Sequence, residues 1–114
     1  MLRLRSATDF ERVRRDGRSY AHPLVVLVVA RSPQAQAQAR VGFAAGRSVG
    51  TAVKRNRAKR LLREAFRSLA ADIAPEWDLL CIARAPIVER KMPEVRAALA
   101  QLLKQAHVLN SPDR

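Results

Sequence analysis

The run Lys54–Arg67 (KRNRAKRLLREAFR) restricts what this chain can become more than any other stretch. At a helical period, Ala58, Leu61, Leu62, Ala65, Phe66 and Leu69 share one stripe, which needs another element to bury it. Asn56, Lys59, Arg60, Arg63 and Arg67 share the opposite stripe. Lys54, Arg55 and Arg57 crowd the first turns, where a helix end already carries partial positive charge. Like charges three and four residues apart repel by roughly a few tenths of a kcal/mol per pair, and within the run only Glu64 opposes them. A solvated basic face is the plain alternative. The concentration of guanidinium groups at the wrong end of the helix dipole favours a polyanion on that side instead.

The rest of the chain can supply the buried partner. It has 114 residues, enough for one domain, and 48% are hydrophobic, which excludes global disorder. The formal net charge is +12, a field that draws nucleic acid, acidic membranes or acidic proteins. Arginines greatly outnumber lysines, and planar guanidinium forks match phosphate oxygens and stack on bases. Cys81 is the lone cysteine, so no internal disulfide or thiolate metal cluster can form; within Leu79–Ala83 it reads as a buried structural thiol. No apolar core of signal-peptide length follows Met1–Arg5, and the longest apolar run, Leu24–Ala30, is too short to span a bilayer. A cytoplasmic location without a membrane partner is expected.

Along the chain, Ser6 or Thr8 can cap a helix through Arg15 that ends at Gly17. Arg18–Ala21 reads as an extended lead-in, and Leu24–Ala30 as a central strand apolar on both faces. Gln34–Ala39, alternating Gln and Ala, reads as a mobile connection. Arg40–Ala45 is the next strand. Val41, Phe43 and Ala45 take one face; Gly42, Ala44 and Gly46 leave the other nearly bare, open to a closely packed helix or to nucleic acid. After the loop Gly46–Gly50, the long helix starts near Thr51 and is expected to reach about Ile73, before Pro75. Asp78–Arg84 is a further apolar strand. Pro93 fits the first turn of a last helix that turns Val95, Ala98, Leu99, Leu102 and Leu103 inward. The expectation is a single α+β domain over residues 1–114, with 1–5 and 109–114 flexible.

No catalytic constellation stands out. His22 precedes a proline at a strand edge, and His107 sits near a helix end where a cation is favourable for structural reasons. The acidic residues are scattered, so no metal cage is expected. Gly42, Gly46, Gly50 and Lys54 do not make a phosphate loop, and no serine stands in a nucleophile elbow. Any reaction involving the chain would draw its chemistry from a partner.

Arg40-Val41-Gly42-Phe43 and Val49–Arg67, with the core Arg55-Asn56-Arg57, Lys59-Arg60 and Leu61, resemble the protein subunit of bacterial ribonuclease P. The resemblance extends to Asp9–Val13 with Gly17 and to Ile82-Ala83-Arg84, spanning roughly residues 3 to 107. It implies a ribosomal protein S5 domain 2-like fold: a mixed four-stranded sheet packed by three helices, in the order α-β-β-β-α-β-α with a left-handed crossover. It implies that the catalyst is a partner RNA, which uses magnesium ions to cleave the 5′ leader from precursor tRNA. Carried over, Lys54, Asn56, Arg57, Lys59, Arg60, Arg63 and Arg67 would contact that RNA, while Phe10, Arg14, Val28 and Arg55 would line a leader groove. No catalytic residue, protein-bound metal or protein oligomer is implied. Arg14 and Val28 stand where the family often has aromatics, so leader binding here would lean on charge and guanidinium stacking. A structural RNA-binding protein such as a ribosomal component shares the size and charge. A membrane-active basic helix fits less well, since the apolar stripe is mostly Ala and Leu without interfacial tryptophan.

Overall fold

The structure is a computed structural model and describes residues 1–110. Its strands are β1 (Leu2–Arg3), β2 (Arg18–Ala21), β3 (Val25–Arg31), β4 (Arg40–Ala45) and β5 (Trp77–Ala83); its helices are α1 (Ala7–Asp16), α2 (Ala52–Arg67) and α3 (Met92–Gln105). The sheet order is β1-β4-β5-β3-β2. β1 and β5 run parallel to β4, whereas β3 is antiparallel to β5 and β2 to β3. The α+β architecture and the element order follow the sequence expectation.

The strand count differs from it. The sheet has five strands rather than four, because Leu2 and Arg3 pair with Arg40 and Val41 and the Leu4 amide donates to the Val41 carbonyl at 3.0 Å. Leu4 is 3% exposed, so the segment expected to be flexible contributes a core residue. At the other end, Ile73 bridges Leu109 and the Asn110 amide donates to the Asp72 carbonyl at 2.7 Å, which ties residues 109 and 110 down. Residues 111–114, the rest of the expected flexible tail, lie outside the described residues.

α2 also stops earlier than expected. It ends at Arg67 with Ser68 as its cap, and a 3-10 turn at Ala70–Asp72 follows. Tight i→i+3 bonds close such an end, and here they release the chain into the Ile73–Leu109 bridge.

The faces of the sheet follow the strand period of two. Val25, Leu27, Val29, Val41, Phe43, Leu79, Cys81 and Ala83 point to the side of α2 and α3 and form the main core with Ala58, Leu62, Ala65, Phe66, Leu99, Leu102 and Leu103. Phe43 and Phe66 meet edge to face at 5.8 Å. Cys81 is fully buried there, and burial pushes its thiol pKa up, away from reactivity. The opposite face carries α1, over a smaller cluster of Leu4, Val13, Val28, Ala30 and Leu80.

Candidate nucleic-acid interface

Register orders the face beneath α1 into three rows across β4, β5 and β3. They are Arg40–Asp78–Ala30, then Gly42–Leu80–Val28, then Ala44–Ile82–Val26. α1 rests on the middle row. Its N-cap is Ser6, whose hydroxyl accepts from the Asp9 amide at 3.0 Å. Val13 is fully buried. Phe10 lies on Gly42: a Cβ built on that glycine would come within 2.6 Å of the ring. The bare face of β4 therefore accommodates a helix side chain. α1 follows the middle row from Phe10 on Gly42 to Gly17 beside Val28, and the third row at its side is only half-buried.

At 100° per residue, Phe10 and Arg14 lie on one flank of α1 and Asp9 and Arg12 on the other. The first flank opens on a depression lined by Arg5, Ala7, Phe10, Glu11 and Arg14. The second flank is pinned. The Asp78 carboxylate, 0% exposed, accepts from Arg12 at 2.5 Å, from both Nε (3.0 Å) and Nη2 (2.7 Å) of Arg40, and from Gln36 at 3.2 Å. Burial alone would raise the Asp78 pKa; the bonds from Arg40, Arg12 and Gln36 outweigh it and hold the group below its ordinary value. The same contact with Asp78 raises the pKa of Arg40. Gln36 also donates to the Pro75 carbonyl at 2.9 Å and accepts from Ser32 at 3.0 Å. The Gln-Ala segment, expected as a mobile connection, is thus docked on the first row.

The expected leader-groove residues separate. Phe10 is half-buried, Arg14 is exposed, and Arg55 is half-buried at the start of α2, one turn before the buried Ala58. Val28 is 2% exposed, held beneath α1, and presents no surface to a groove. The residues on its strand face that do retain exposure are Val26 and, on neighbouring strands, Ile82 and Ala44. Strand parity alone relates Val26 to Val28. The seat of α1 along the middle row, which decides between them, has no signature in the local sequence.

α2 carries the residues expected to contact RNA. Gly50 (φ 129°) turns the chain into the N-cap Thr51, whose hydroxyl accepts from the Lys54 amide at 3.3 Å. Asn56, Arg57, Arg60 and Arg67 are exposed, as is Lys54, while Lys59 and Arg63 are half-buried. Among the described residues, none of Lys54, Arg55, Arg57, Lys59, Arg60, Arg63 or Arg67 makes an ion pair, Glu64 included as a partner. Arg12, Arg15, Arg31, Arg40 and Arg90 are paired, whereas Arg3, Arg5, Arg14, Arg18, Arg47, Arg84 and Arg96 also lack an ion pair among the described residues, so what sets α2 apart is the density of unpaired cations along one helix.

The two histidines and the lone tryptophan take structural places. Nδ1 of His22 accepts from the Leu24 amide at 3.0 Å. His107 is exposed, with φ 58°, just past α3. Trp77 is half-buried under the Arg31 guanidinium, 4.8 Å from its ring centre. No three His, Cys, Asp or Glu side chains gather as a metal site among the described residues.

Residues 1–107 match the family model described as Ribonuclease P. A ribonuclease P protein component from Herpetosiphon aurantiacus is 44% identical over 106 residues, covering 93% of this chain and 85% of its own. The chain belongs to the ribonuclease P protein family. It is accordingly a protein component of a tRNA-processing ribonucleoprotein. A relative in the same family, from Symbiobacterium thermophilum, is 42% identical over 107 residues, or 94% of this chain and 92% of its own. The fold agrees with solved ribonuclease P proteins. That of Staphylococcus aureus superposes with a TM-score of 0.82 at 29% identity, covering 96% of this chain and 99% of its own. That of Thermotoga maritima gives 0.77 at 29%, covering 92% and 97%. No helix in the described residues is long and apolar enough to cross a membrane.

Proposed function

We propose that this subunit docks on the ribonuclease P RNA through the outer face of α2 and guides the 5′ leader of precursor tRNA along the open flank of α1. The observation that carries the reading is the set of α2 cations without an internal ion pair. Lys54, Asn56, Arg57, Lys59, Arg60, Arg63 and Arg67 supply charge and bidentate donors to backbone phosphates, which fix the position of a protein on RNA. Phe10 offers a ring for one base, Arg14 adds a guanidinium group on the same flank, the half-buried row Val26, Ile82 and Ala44 forms an apolar floor, and Arg55, at the start of α2, would meet the leader apart from them. A single-stranded leader suits such a shallow groove, because its bases are free to turn out.

Cleavage is the work of the RNA and its magnesium ions. The described residues of this chain gather no carboxylate set for such an ion, and the face in question is cationic. The protein's part is to hold the RNA and orient the leader, as a single cytoplasmic domain that needs neither a membrane nor a second copy of itself. Reconstitution tests this. Adding the protein to the matching RNA should stimulate precursor-tRNA cleavage at low magnesium; no stimulation would sink the assignment. Arg57→Ala should weaken assembly with the RNA and leave the melting temperature near its original value. Native protein that co-purifies with ribosomes and with no separate structured RNA would point to a ribosomal role instead.

A further inference from the structure

We propose that Asp78, acting with Arg12 and Arg40, is a positioning centre for the leader groove: a buried carboxylate that sets the roll of α1 and so places Phe10 and Arg14. The inference rests on the groove reading given above.

Three observations carry it. First, the side-chain polar ties from α1 to the sheet, among the described residues, all leave from the flank away from the groove. Arg12 bonds Asp78 at 2.5 Å and the Arg31 carbonyl at 3.5 Å, and Asp9 pairs with Arg40 at 3.6 Å. Secondly, the contacts beneath the groove flank are apolar: Phe10 on Gly42, and Val13 with Val28 and Leu80. Apolar contact is non-directional and leaves a helix free to roll, whereas charged hydrogen bonds to one carboxylate fix an angle. Thirdly, the groove is sensitive to such a roll, since the Phe10 ring lies against the Gly42 backbone and a small turn of α1 would carry it off that seat. A buried ion cluster is a poor way to gain stability, because an apolar set of equal volume serves as well or better. Fixing the orientation of α1 gives this cluster a use that an apolar replacement would lack. Through Gln36 the same carboxylate also anchors the Gln-Ala segment, so the cluster joins α1, β4, β5 and that loop at one point.

The test uses ribonuclease P reconstituted from this protein and its RNA. Dissociation constants are measured for precursor tRNA with its leader and for mature tRNA, and assembly of protein with RNA is measured separately. Arg12→Gln should weaken binding of the leader-bearing substrate about tenfold. Binding of mature tRNA and assembly with the RNA should stay unchanged. Because Arg12 acts through the Phe10 flank, Arg12→Gln should have almost no further effect in a Phe10→Ala background. Arg12→Lys, which keeps the charge and loses the fork, is a milder second variant and should give an intermediate loss. Unchanged leader affinity with only a lower melting temperature would overturn the positioning role. Equal losses in both backgrounds would overturn it too. Should Phe10→Ala by itself leave leader affinity intact, the groove reading fails, and the inference with it.

Discussion

Asp78 shows how a single buried charge governs both stability and its dependence on pH. Its folded pKa lies below the ordinary carboxylate value of about 3.9. A depressed folded value stabilises the protein fully above the unfolded pKa, and that stabilisation disappears as the pH falls through the folded value. Asp78→Asn should cost about 3 kcal/mol at neutral pH, towards the low end for a broken buried pair because both guanidiniums keep some water. The variant should also lose stability less steeply below about pH 4. Denaturant midpoints measured across the acid range check both. Gly42 is the other decisive residue. In Gly42→Ala the new methyl meets the far end of the Phe10 ring, which can swing outward, so the stability cost should be about 1 kcal/mol. Leader affinity should fall out of proportion to that cost, and equal binding by wild type and variant would separate the ring's position from its function.

α2 divides its two tasks between two faces. Its buried side, Ala58, Leu62, Ala65 and Phe66, holds the helix on the sheet, and its outer side carries charge the protein itself does not neutralise. Leu62→Ala should therefore cost about 2–5 kcal/mol of unfolding free energy. Arg60→Ala should change it by no more than about 0.5 kcal/mol while weakening RNA binding. Paired denaturation and RNA-binding titrations decide the point; a large stability loss in Arg60→Ala would mean the outer face is structural.

At the scale of the molecule, the charge of +12 is unevenly engaged. Arg12 and Arg40 are neutralised inside, whereas the cations of α2 stay available. Affinity for the ribonuclease P RNA should fall steeply with salt, with log K declining by about 0.7 to 0.9 per phosphate contacted for each unit of log salt. Arg57→Ala and Arg60→Ala should each reduce that slope by about one. A salt-independent affinity would remove the phosphate-contact account.

The amino-acid sequence alone determined the α+β class, the two stripes of α2, the inward residues of α3 and the family signature. These are periodic or contiguous patterns, and the physics behind them acts within a few turns of chain. Tertiary structure decided the rest. The pairing of Leu2–Arg3 with β4 joins residues far apart in the chain, and two residues carry too little pattern to announce a strand. Val28 and Val26 share a strand face, and only the seat of α1 buries the first and leaves the second half-open. Asp78 reads as an unremarkable acid before an apolar strand. It becomes a hub because Arg12, Gln36 and Arg40, each at least 38 positions away in the chain, converge on it at one buried point.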